Sequence, residues 1–438
     1  MKYNQPFDQP NNPNAPYVDG NRAAGIQGSI VPAASVEFDQ REVVEVINTA
    51  NTRAYSDFSN TACAPPANTD LTQLRKAIEG FIKAGGGGGG GGTPNWFIDT
   101  AVTYKVHGTG ADFPDLITAM EYLSKYIITA NGSVILQLAG STSGVATQFV
   151  YPSSVVFSHP NNDKISVVGA PMLATLPSTD ANYATTGNSA TARANDLTTN
   201  LATLRSRFAT ELRFPGANIT QALGGAIVIR GKALAKFDGI LLTSDGAGTQ
   251  LGGIYCTAVG FIGGSAGLAI AGFSGIGFGI DTSGGIGLVN STQTLVICGC
   301  WAGLSCLDGS SFTSSANVLC LGNTYSGFNA NPGGAFQLDA NVYANGNGQY
   351  GVLGTFGNLM VVSTGTNNHF YKNGSYGVWC QQSFIEAVGD YGAGANANGT
   401  GSVFATAGSN VYISGSINVG TCSPAVNTVG NGNSWISN

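Results

Sequence analysis

Three carboxylates in the C-terminal part of the sequence are candidates for acid–base chemistry: Asp339, Glu386 and Asp390. Glycoside hydrolysis needs two carboxyl groups about 5–5.5 Å apart for retention of configuration, or about 6.5–9.5 Å apart for inversion. Glu386 and Asp390 are separated by about 13 Å if the chain between them is extended, so they can act together only if a corner intervenes. These three residues are the catalytic candidates, and their spacing argues against an enzyme without excluding one.

Other catalytic groups are scattered along the chain. The three histidines, His107, His159 and His369, are far apart in the sequence. A polysaccharide lyase would need a base beside an arginine or lysine, and Lys372 is the only such cation after Lys236. A depolymerase is therefore kept as an alternative interpretation.

Aromatic residues offer binding chemistry rather than catalysis. Trp379, Tyr376 and Tyr255 combine a flat apolar face with a polar edge, which suits contact with a sugar or with another subunit. Of these residues, Trp379 together with Tyr376 is the more specific prediction for a receptor-binding patch. The same residues would serve in an interface between subunits, and both interpretations stay open at this point.

The elements that carry these residues belong to a repeat. From Gly253 onward, a glycine or serine followed by an apolar residue recurs in steps of 26, 24, 24, 24, 26 and 25 residues. The pairs are Gly253-Ile254, Gly279-Ile280, Gly303-Leu304, Gly327-Phe328, Gly351-Val352, Gly377-Val378 and Ser402-Val403. A fixed period of this length is typical of a stacked solenoid.

The residues that follow each repeat start alternate as they do in a β-strand. The position one past the start is apolar, and the position three past it is small. Because positions two apart share one face of a strand, both are predicted to point inward and the residue between them outward. The predicted outward column is Tyr255, Asp281, Ser305, Asn329, Leu353, Trp379 and Phe404.

Each repeat has room for three short strands and three corners. Asn and Gly tolerate positive φ, so their pairs mark the corners. These pairs are Gly322-Asn323, Asn345-Gly346, Asn347-Gly348, Asn373-Gly374 and Asn398-Gly399. The sequence therefore predicts an all-β chain that forms a right-handed parallel β-helix of about 25 residues per coil, with a small helical N-terminal anchor region and a capping helix.

The eight cysteines are predicted to be mostly small buried residues. Cys256, Cys306 and Cys380 fall in the small inward column of the repeat. Cys298-x-Cys300 followed by Cys306 does not have the spacing of a structural zinc site. No metal and no cofactor are predicted, and a disulfide among the cysteines is left open.

Charge is scarce in this chain. Charged residues make up 10% of it, the net charge is −6, and seven of the charged residues follow Gly239. No basic patch is present, so nucleic-acid binding is not expected. No apolar run reaches the roughly 18–20 residues of a membrane span, and the first residues lack the apolar segment of a signal peptide. A surface with so few charged side chains is expected to be partly buried between subunits.

The N-terminal part of the chain lacks the repeat. Residues 1–84 are predicted to form an extended arm followed by two short helices, the second of them capped by Asp70. Residues 85–95 are rich in glycine and are predicted to be a flexible tether. A hinge between two bodies is therefore expected there.

A strand and a capping helix are predicted in residues 96–140, where the β-helix begins. Asp112 is the predicted N-cap of this helix, whose apolar stripe is Leu116, Met120, Leu123 and Ile127. The β-helix is then predicted over 141–438, with a helical insertion at about 171–215. In that insertion Asp196 precedes a second helical stripe.

Several segments resemble tailed-bacteriophage tail fibres and tailspikes. The stretches PYVDGN, GIQGSIVPAA, QREVVEVI and DLTQLRKAI resemble their virion-attachment segment. The stretches YKVHGTGADFPDLITAMEYL, GSVILQLAG and ISVVGAP are similar to the start of the pectate-lyase-like β-helix in that family, and ANDLTTNLATLRSRFATELRF resembles another of its segments. The resemblance covers about half of the chain.

The resemblance implies a homotrimer that is attached to a phage tail or baseplate protein through residues 1–84. The β-helix would then contact a glycan or another receptor on the host surface. The expected location is the virion, at the tail or baseplate, after assembly in the host cytoplasm. Two alternatives remain: a polysaccharide depolymerase tailspike acting as a glycoside hydrolase or lyase, and a purely structural baseplate or tail component.

Overall fold

A computed structural model describes residues 97–216, 224–246, 251–281, 285–289, 294–356, 359–362, 368–413, 416–426 and 434–437. The predicted anchor in residues 1–84 and the predicted tether in residues 85–95 lie outside these residues. In the described part of the chain, no helix is long and apolar enough to cross a membrane.

The described residues form a parallel β-helix of about 11 turns with about 26 residues per turn, which confirms the predicted fold class. Three stacks of strands, here called faces A, B and C, run along it. Each strand pairs in parallel with the equivalent strand one coil away. The chain visits the faces in the order C, B, A within each coil.

The strands of the three faces are as follows. Face A contains β2 (Ala101–Val106), β4 (Ser133–Leu138), β7 (Ile165–Val168), β10 (Lys236–Asp238), the second half of β12 (Gly252–Gly263), β15 (Gly285–Val289), β18 (Ser311–Ser314), β21 (Ala335–Leu338), β24 (Leu359–Val362), β26 (Phe384–Ala387), β28 (Asn410–Tyr412) and β30 (Trp435–Ser437). Face B contains β6 (Val155–Phe157), β9 (Gly225–Lys232), the first half of β12, β14 (Ile276–Ile280), β17 (Ala302–Cys306), β20 (Ser326–Ala330), β23 (Tyr350–Thr355), β25 (Tyr376–Gln381), β27 (Gly401–Thr406) and β29 (Cys422–Ser423). Face C contains β5 (Thr147–Val150), β8 (Thr210–Arg213), β11 (Ile240–Thr243), β13 (Leu268–Ala271), β16 (Thr294–Cys298), β19 (Asn317–Leu321) and β22 (Val342–Asn345), and single bridges at His369, Asp390 and Ile417 continue it.

The remaining described elements are short. Strand β1 (Phe97–Ile98) pairs with β3 (Ile127–Ile128). Two α-helices are described, α1 (Leu116–Leu123) and α2 (Ala190–Arg205). Single 3-10 turns occur at Asn162–Lys164, Asp180–Asn182 and Gly394–Asn396.

The repeat glycines of face B are needed because neighbouring coils approach closely there. A Cβ on Gly303 would lie 2.4 Å from the carbonyl oxygen of Gly327, and one on Gly327 would lie 2.8 Å from that of Gly351. The same contact holds for Gly253, whose Cβ would lie 2.5 Å from the carbonyl oxygen of Gly277. Glycine is therefore retained because no side chain fits between the stacked backbones.

One predicted repeat start is wrong by two residues: it is Gly277, not Gly279. Phe278 pairs with Ile254 on one side and Leu304 on the other, so Phe278 occupies the inward apolar column. The segment from 275 to 280 reads Gly-Ile-Gly-Phe-Gly-Ile, and a shift of two residues keeps every side chain on the same face. The sequence pattern alone could not distinguish the two registers. Consequently Gly279, rather than Asp281, belongs to the outward column.

The inward columns of face B form part of the main core. The apolar column from Ile254 to Val403 is at most 1% exposed. Its members are Ile254, Phe278, Leu304, Phe328, Val352, Val378 and Val403. Each fully buried side chain of this kind contributes about 1.5–3 kcal/mol relative to exposure. Stacked burial of this kind holds successive coils together.

The inward position of Cys256, Cys306 and Cys380 is confirmed, since all three are fully buried. All seven described cysteines are free thiols, and Cys422 is the only one of them that is half-buried rather than buried. Burial raises the pKa of the Cys380 thiol to about 12, so this group stays neutral at physiological pH. Among the described residues, no group of three or more His, Cys, Asp or Glu side chains is arranged to hold a metal ion.

Helix α1 packs against the first coils, but its N-cap differs from the predicted one. Asp115, not Asp112, caps it by accepting a hydrogen bond from the Thr118 N–H at 2.7 Å. The carboxylate of Asp112 instead accepts from the Lys105 N–H. Leu116, Ala119, Met120 and Leu123 face the core, whereas Ile127 lies in β3 beyond the helix and is 55% exposed.

The segment from 172 to 208, here called the insertion, packs on the outer side of face C. Its buried side chains and those of the strands beneath form a second, smaller core that includes Leu176, Tyr183, Leu204, Phe208, Leu241, Ala269, Val296, Leu319 and Tyr343. Helix α2 begins at Ala190 with Ser189 as its N-cap, earlier than the predicted stripe after Asp196. Asp196 is buried within the helix and accepts hydrogen bonds from Thr186.

Glu211 on β8 connects the end of α2 to face C. Its carboxylate is 1% exposed and accepts hydrogen bonds from Arg205, at 2.8 and 2.9 Å, from Thr243 and from Gln148. Burial opposes ionisation of this carboxyl. The hydrogen bonds outweigh burial, so the pKa of Glu211 lies below its ordinary value.

We expect Glu211→Gln to lower the free energy of unfolding by about 2 kcal/mol at pH 7, with a smaller loss in acid. A carboxyl whose folded-state pKa is lowered stabilises the fold above its unfolded pKa of about 4.3, and this stabilisation disappears as pH falls through the folded pKa. Thermal melts of the variant and the wild type at pH 7 and at successively lower pH measure the difference. Glu121→Gln, an exposed change on α1, is the control, and a difference that stays constant with pH would contradict this assignment.

Candidate functional site

An asparagine ladder lies inside the corners that lead from face C to face B. Asn323, Asn347, Asn373 and Asn398 occupy equivalent positions in four successive coils. Each Nδ2 donates to the Oδ1 of the next asparagine at 3.0 Å. The same Oδ1 atoms also accept backbone N–H groups, including those of Asn323 and Asn347, so the buried polar groups of the corner are paired. These hydrogen bonds hold in place the backbone of the corner residues that follow each asparagine.

The outer surface beside this ladder carries a continuous series of aromatic side chains, here called the aromatic ridge. It consists of Trp301, Tyr325, Tyr350, Tyr376, Trp379 and Phe404. Trp301 and Tyr325 stand on the corners, and the others lie on β23, β25 and β27 of face B. The ridge therefore crosses five successive coils.

The rings of the aromatic ridge contact one another in sequence. Trp301 and Tyr325 are stacked, with ring centroids 4.9 Å apart and an interplanar angle of 5°. Tyr350 lies edge-on to Trp379, with centroids 4.5 Å apart, and Trp379 lies edge-on to Phe404 at 5.4 Å. Such contacts hold the rings in fixed orientations, so the ridge is preorganised.

The aromatic ridge is partly exposed and electrically neutral. Trp301 is 40% exposed, whereas Tyr350 is buried beneath its neighbours. Burial, followed by the neighbouring Tyr325 and Tyr376, raises the pKa of Tyr350 to about 12, so its phenol is not ionised at physiological pH. The indole Nε1 of Trp379 is buried and makes no hydrogen bond to any described residue. The ridge thus offers apolar faces with little competing charge.

The structure brings two of the three predicted receptor-binding residues together. Tyr376 and Trp379 lie 6.5 Å apart, centroid to centroid, within the ridge. Tyr255 is five coils away toward the N-terminal end, and its hydroxyl donates to Asp281. Burial, and then Asp281, raises the pKa of Tyr255.

The outward column between these ends is not exposed. Ser305 is 0%, Asn329 is 1% and Leu353 is 4% exposed, although all three point away from the main core. Only the ends of the column, at Tyr255 and at Trp379 with Phe404, reach the surface. A ligand that binds this column therefore contacts one of those ends.

The three carboxylate candidates lie on different parts of the coil. Glu386 points outward from β26 on face A, because its neighbours Ile385 and Ala387 are buried in the core. Asp390 lies on face C, where its carboxylate accepts hydrogen bonds from the Gly392 N–H and the Asn418 side chain. Asp339 follows β21 on face A. The corner between Glu386 and Asp390 thus places them on separate faces.

A buried polar cluster that sequence spacing did not reveal joins the insertion to the later coils. Asp180 is 5% exposed, and its Oδ2 accepts hydrogen bonds from Asn345 at 2.6 Å, His369 Nδ1 at 2.8 Å and the Tyr371 hydroxyl at 2.9 Å. Lys372 donates to the carbonyl of Thr185 at 2.8 Å. The contacting positions are separated by up to 191 residues, so only the fold could bring them together.

The Asp180 carboxylate orients the His369 imidazole as the acid does in acid–base dyads. Burial, and then the nearby Asp180 charge, raises the pKa of Tyr371. In the described residues, the hydrogen bonds of Asp180 and His369 go to amide, imidazole and phenol groups rather than to a serine, threonine or cysteine nucleophile. The cluster is therefore better explained as a set of contacts that holds the insertion against the later coils than as a hydrolytic centre.

No family model, curated protein or solved structure matches this chain. The function must therefore be inferred from its surfaces, because a β-helix by itself does not specify an activity.

A second exposed apolar surface lies on face A near the C-terminal end. Phe384 is 40% exposed, Tyr412 is 39% and Trp435 is 36%. Asn410 lies opposite Phe384 in the preceding strand of the face and opposite Trp435 in the following one. Tyr412 lies opposite Glu386 in the same way. Neighbouring exposed aromatics of this kind are typical of protein interfaces.

Proposed function

We propose that this chain is a tailed-phage tail fibre or short spike that attaches the virion to a neutral glycan on the host surface. The aromatic ridge carries this proposal. It is a row of ordered rings that crosses five coils, is partly exposed at every ring except Tyr350, and contains no charged side chain. The resemblance of the sequence to phage fibres gives the biological setting.

The physical chemistry of the ridge suits a sugar chain. One face of a sugar ring presents C–H groups, which pack on an aromatic face, while its hydroxyl groups stay at the edge in contact with water or polar atoms. Coils are stacked about 4.8 Å apart, so the rings recur at intervals comparable to the size of a sugar unit. A preorganised row of rings also loses little conformational entropy on binding.

In this proposal the functional particle is a homotrimer. The exposed aromatics of face A would lie against neighbouring subunits, which would cover apolar surface that a monomer leaves in water. Residues 1–84 would dock on a tail or baseplate protein. The protein would be assembled in the host cytoplasm and remain in the virion.

The test uses the purified full-length protein and a panel of bacterial surface polysaccharides. We expect light scattering to give three chains per particle, and we expect immobilised protein to retain one class of neutral polysaccharide. Pre-incubation of the matching cells with the protein should block phage adsorption. A monomer that retains no polysaccharide and does not compete would refute the proposal, and release of reducing ends from a bound polysaccharide would indicate a depolymerase instead.

A further inference from the structure

A pocket of about 410 Å³ lies where the aromatic ridge ends, beside helix α2. The ridge stops at Trp301, because the corresponding corner residue in the preceding coil is Gly275, whose carbonyl accepts the Trp301 N–H. Leu197 and Leu201 of α2 line the pocket together with the corner residues of four coils. A chain that follows the ridge toward the N-terminal coils therefore meets α2 and this pocket.

The pocket combines one aromatic wall with several polar groups. Trp301 stacks on Tyr325 and also lines the pocket. The polar residues Ser274, Thr324 and Asp245 also line it. A mainly apolar cavity with a few convergent polar groups is typical of small-ligand sites, and its volume falls within their usual range of about 300–1,000 Å³.

Ser244 is the most informative residue in this lining. Its side chain is 8% exposed, and its hydroxyl is buried with no hydrogen-bond partner among the described residues. A buried hydroxyl left without a partner destabilises the fold. In the structure this hydroxyl is covered, so it would pair with a ligand once the side chain rotates toward the pocket that Ser244 lines.

The floor of the pocket is kept open by glycines at positive φ. Gly272 has φ +75° and Gly299 has φ +63°. A Cβ on Gly299 would lie 2.6 Å from a side-chain atom of Leu197, so a larger residue would push α2 away from the corner. The turns therefore expose backbone and leave room for a ligand beside Trp301.

We propose that this pocket binds the single sugar unit at the end of the glycan chain, while the aromatic ridge binds the units behind it. The inference rests on the proposed function and deepens it, because the protein would then recognise the end of a glycan chain and not only its interior units. The sugar would place its apolar face against Trp301. Its hydroxyl groups would pair with polar groups of the pocket lining and, after rotation of its side chain, with the Ser244 hydroxyl.

The test uses free monosaccharides as probes on the full-length protein: D-glucose, D-galactose, N-acetyl-D-glucosamine and L-rhamnose. We expect saturation-transfer NMR to detect at least one of them at millimolar concentration. Ser244→Ala should weaken this binding about fivefold to tenfold, and Trp301→Ala at least as much. Ser244→Ala should leave the melting temperature unchanged or raised, because it removes an unpaired buried hydroxyl.

Ser305→Ala is the matched control, because Ser305 is also a buried serine whose hydroxyl has no described partner, but it lies outside the pocket. It should not change monosaccharide binding. Trp379→Ala should weaken polysaccharide binding and leave monosaccharide binding intact. The inference is overturned if none of the sugars binds, or if binding survives both Ser244→Ala and Trp301→Ala. Retention of polysaccharide by the wild type in that case would leave the proposed function standing.

Discussion

Replacement of Asn347 by alanine is expected to lower the free energy of unfolding by about 3–5 kcal/mol. Asn347 is fully buried; its Oδ1 accepts from the backbone and side chain of Asn323, and its Nδ2 donates to Asn373 and to the Cys320 carbonyl. Alanine would leave these partners buried and partly unpaired, each at a cost of about 1–3 kcal/mol. Urea unfolding followed by tryptophan fluorescence measures the loss.

The matched control is Asn341→Ala, since Asn341 is half-buried and donates its side-chain amide to Asn317 at 3.2 Å outside the ladder. We expect this change to cost less than about 1 kcal/mol. Because coils of a solenoid can unfold separately, limited proteolysis should accompany the urea curves and locate the first cleavage near the altered corner. Equal losses in the two variants would contradict the special role of the ladder.

Trp379→Ala is expected to weaken glycan binding and host adsorption about 30-fold, which corresponds to about 2 kcal/mol. Trp379 contacts Tyr350, Tyr376 and Phe404, so its removal breaks three of the ring contacts in the aromatic ridge. Trp379→Phe keeps a flat ring and should lose less. Binding of the labelled protein to cells and to the purified polysaccharide measures the effect, with melting temperatures recorded to separate it from unfolding.

Tyr255→Ala is the control for this prediction. Tyr255 belongs to the same outward column and is also half-buried, but it lies five coils away from Trp379. We expect adsorption to be unchanged in this variant. If Tyr255→Ala reduces binding as strongly as Trp379→Ala, or if neither change has an effect, the ridge is not the receptor surface.

The sequence was sufficient for the fold because its signal is repeated. The inward column and the buried cysteines follow from the alternation of side chains along a strand. The exception at Gly277 has a physical reason, since a two-residue shift preserves the faces and only the close backbone contact with Gly303 and Gly253 distinguishes the registers. The Asp115 cap was missed because Asp112 is also a good capping residue but is engaged by the backbone of Lys105.

The site was only partly predictable. Trp379 and Tyr376 could be selected because they belong to the regular strand pattern. Trp301 and Tyr325 stand on corners, where strand alternation gives no information about direction. The Asp180 cluster depends on contacts across as many as 191 residues, which no local spacing encodes. Long-range packing of the insertion therefore determines what the sequence pattern leaves open.

The insertion also limits how this protein can change in length during evolution. It lies along face C from Leu241 to Tyr343 and is fastened at the far end by Asp180 with His369. Duplication or deletion of one coil within that stretch would displace His369 by about 4.8 Å, one coil spacing, and break the fastening. Among the described residues, those beyond Asp390 take no part in the core under the insertion or in the hydrogen bonds of Asp180. New coils are therefore more easily gained or lost at the C-terminal end, while the part that the insertion spans keeps a fixed number.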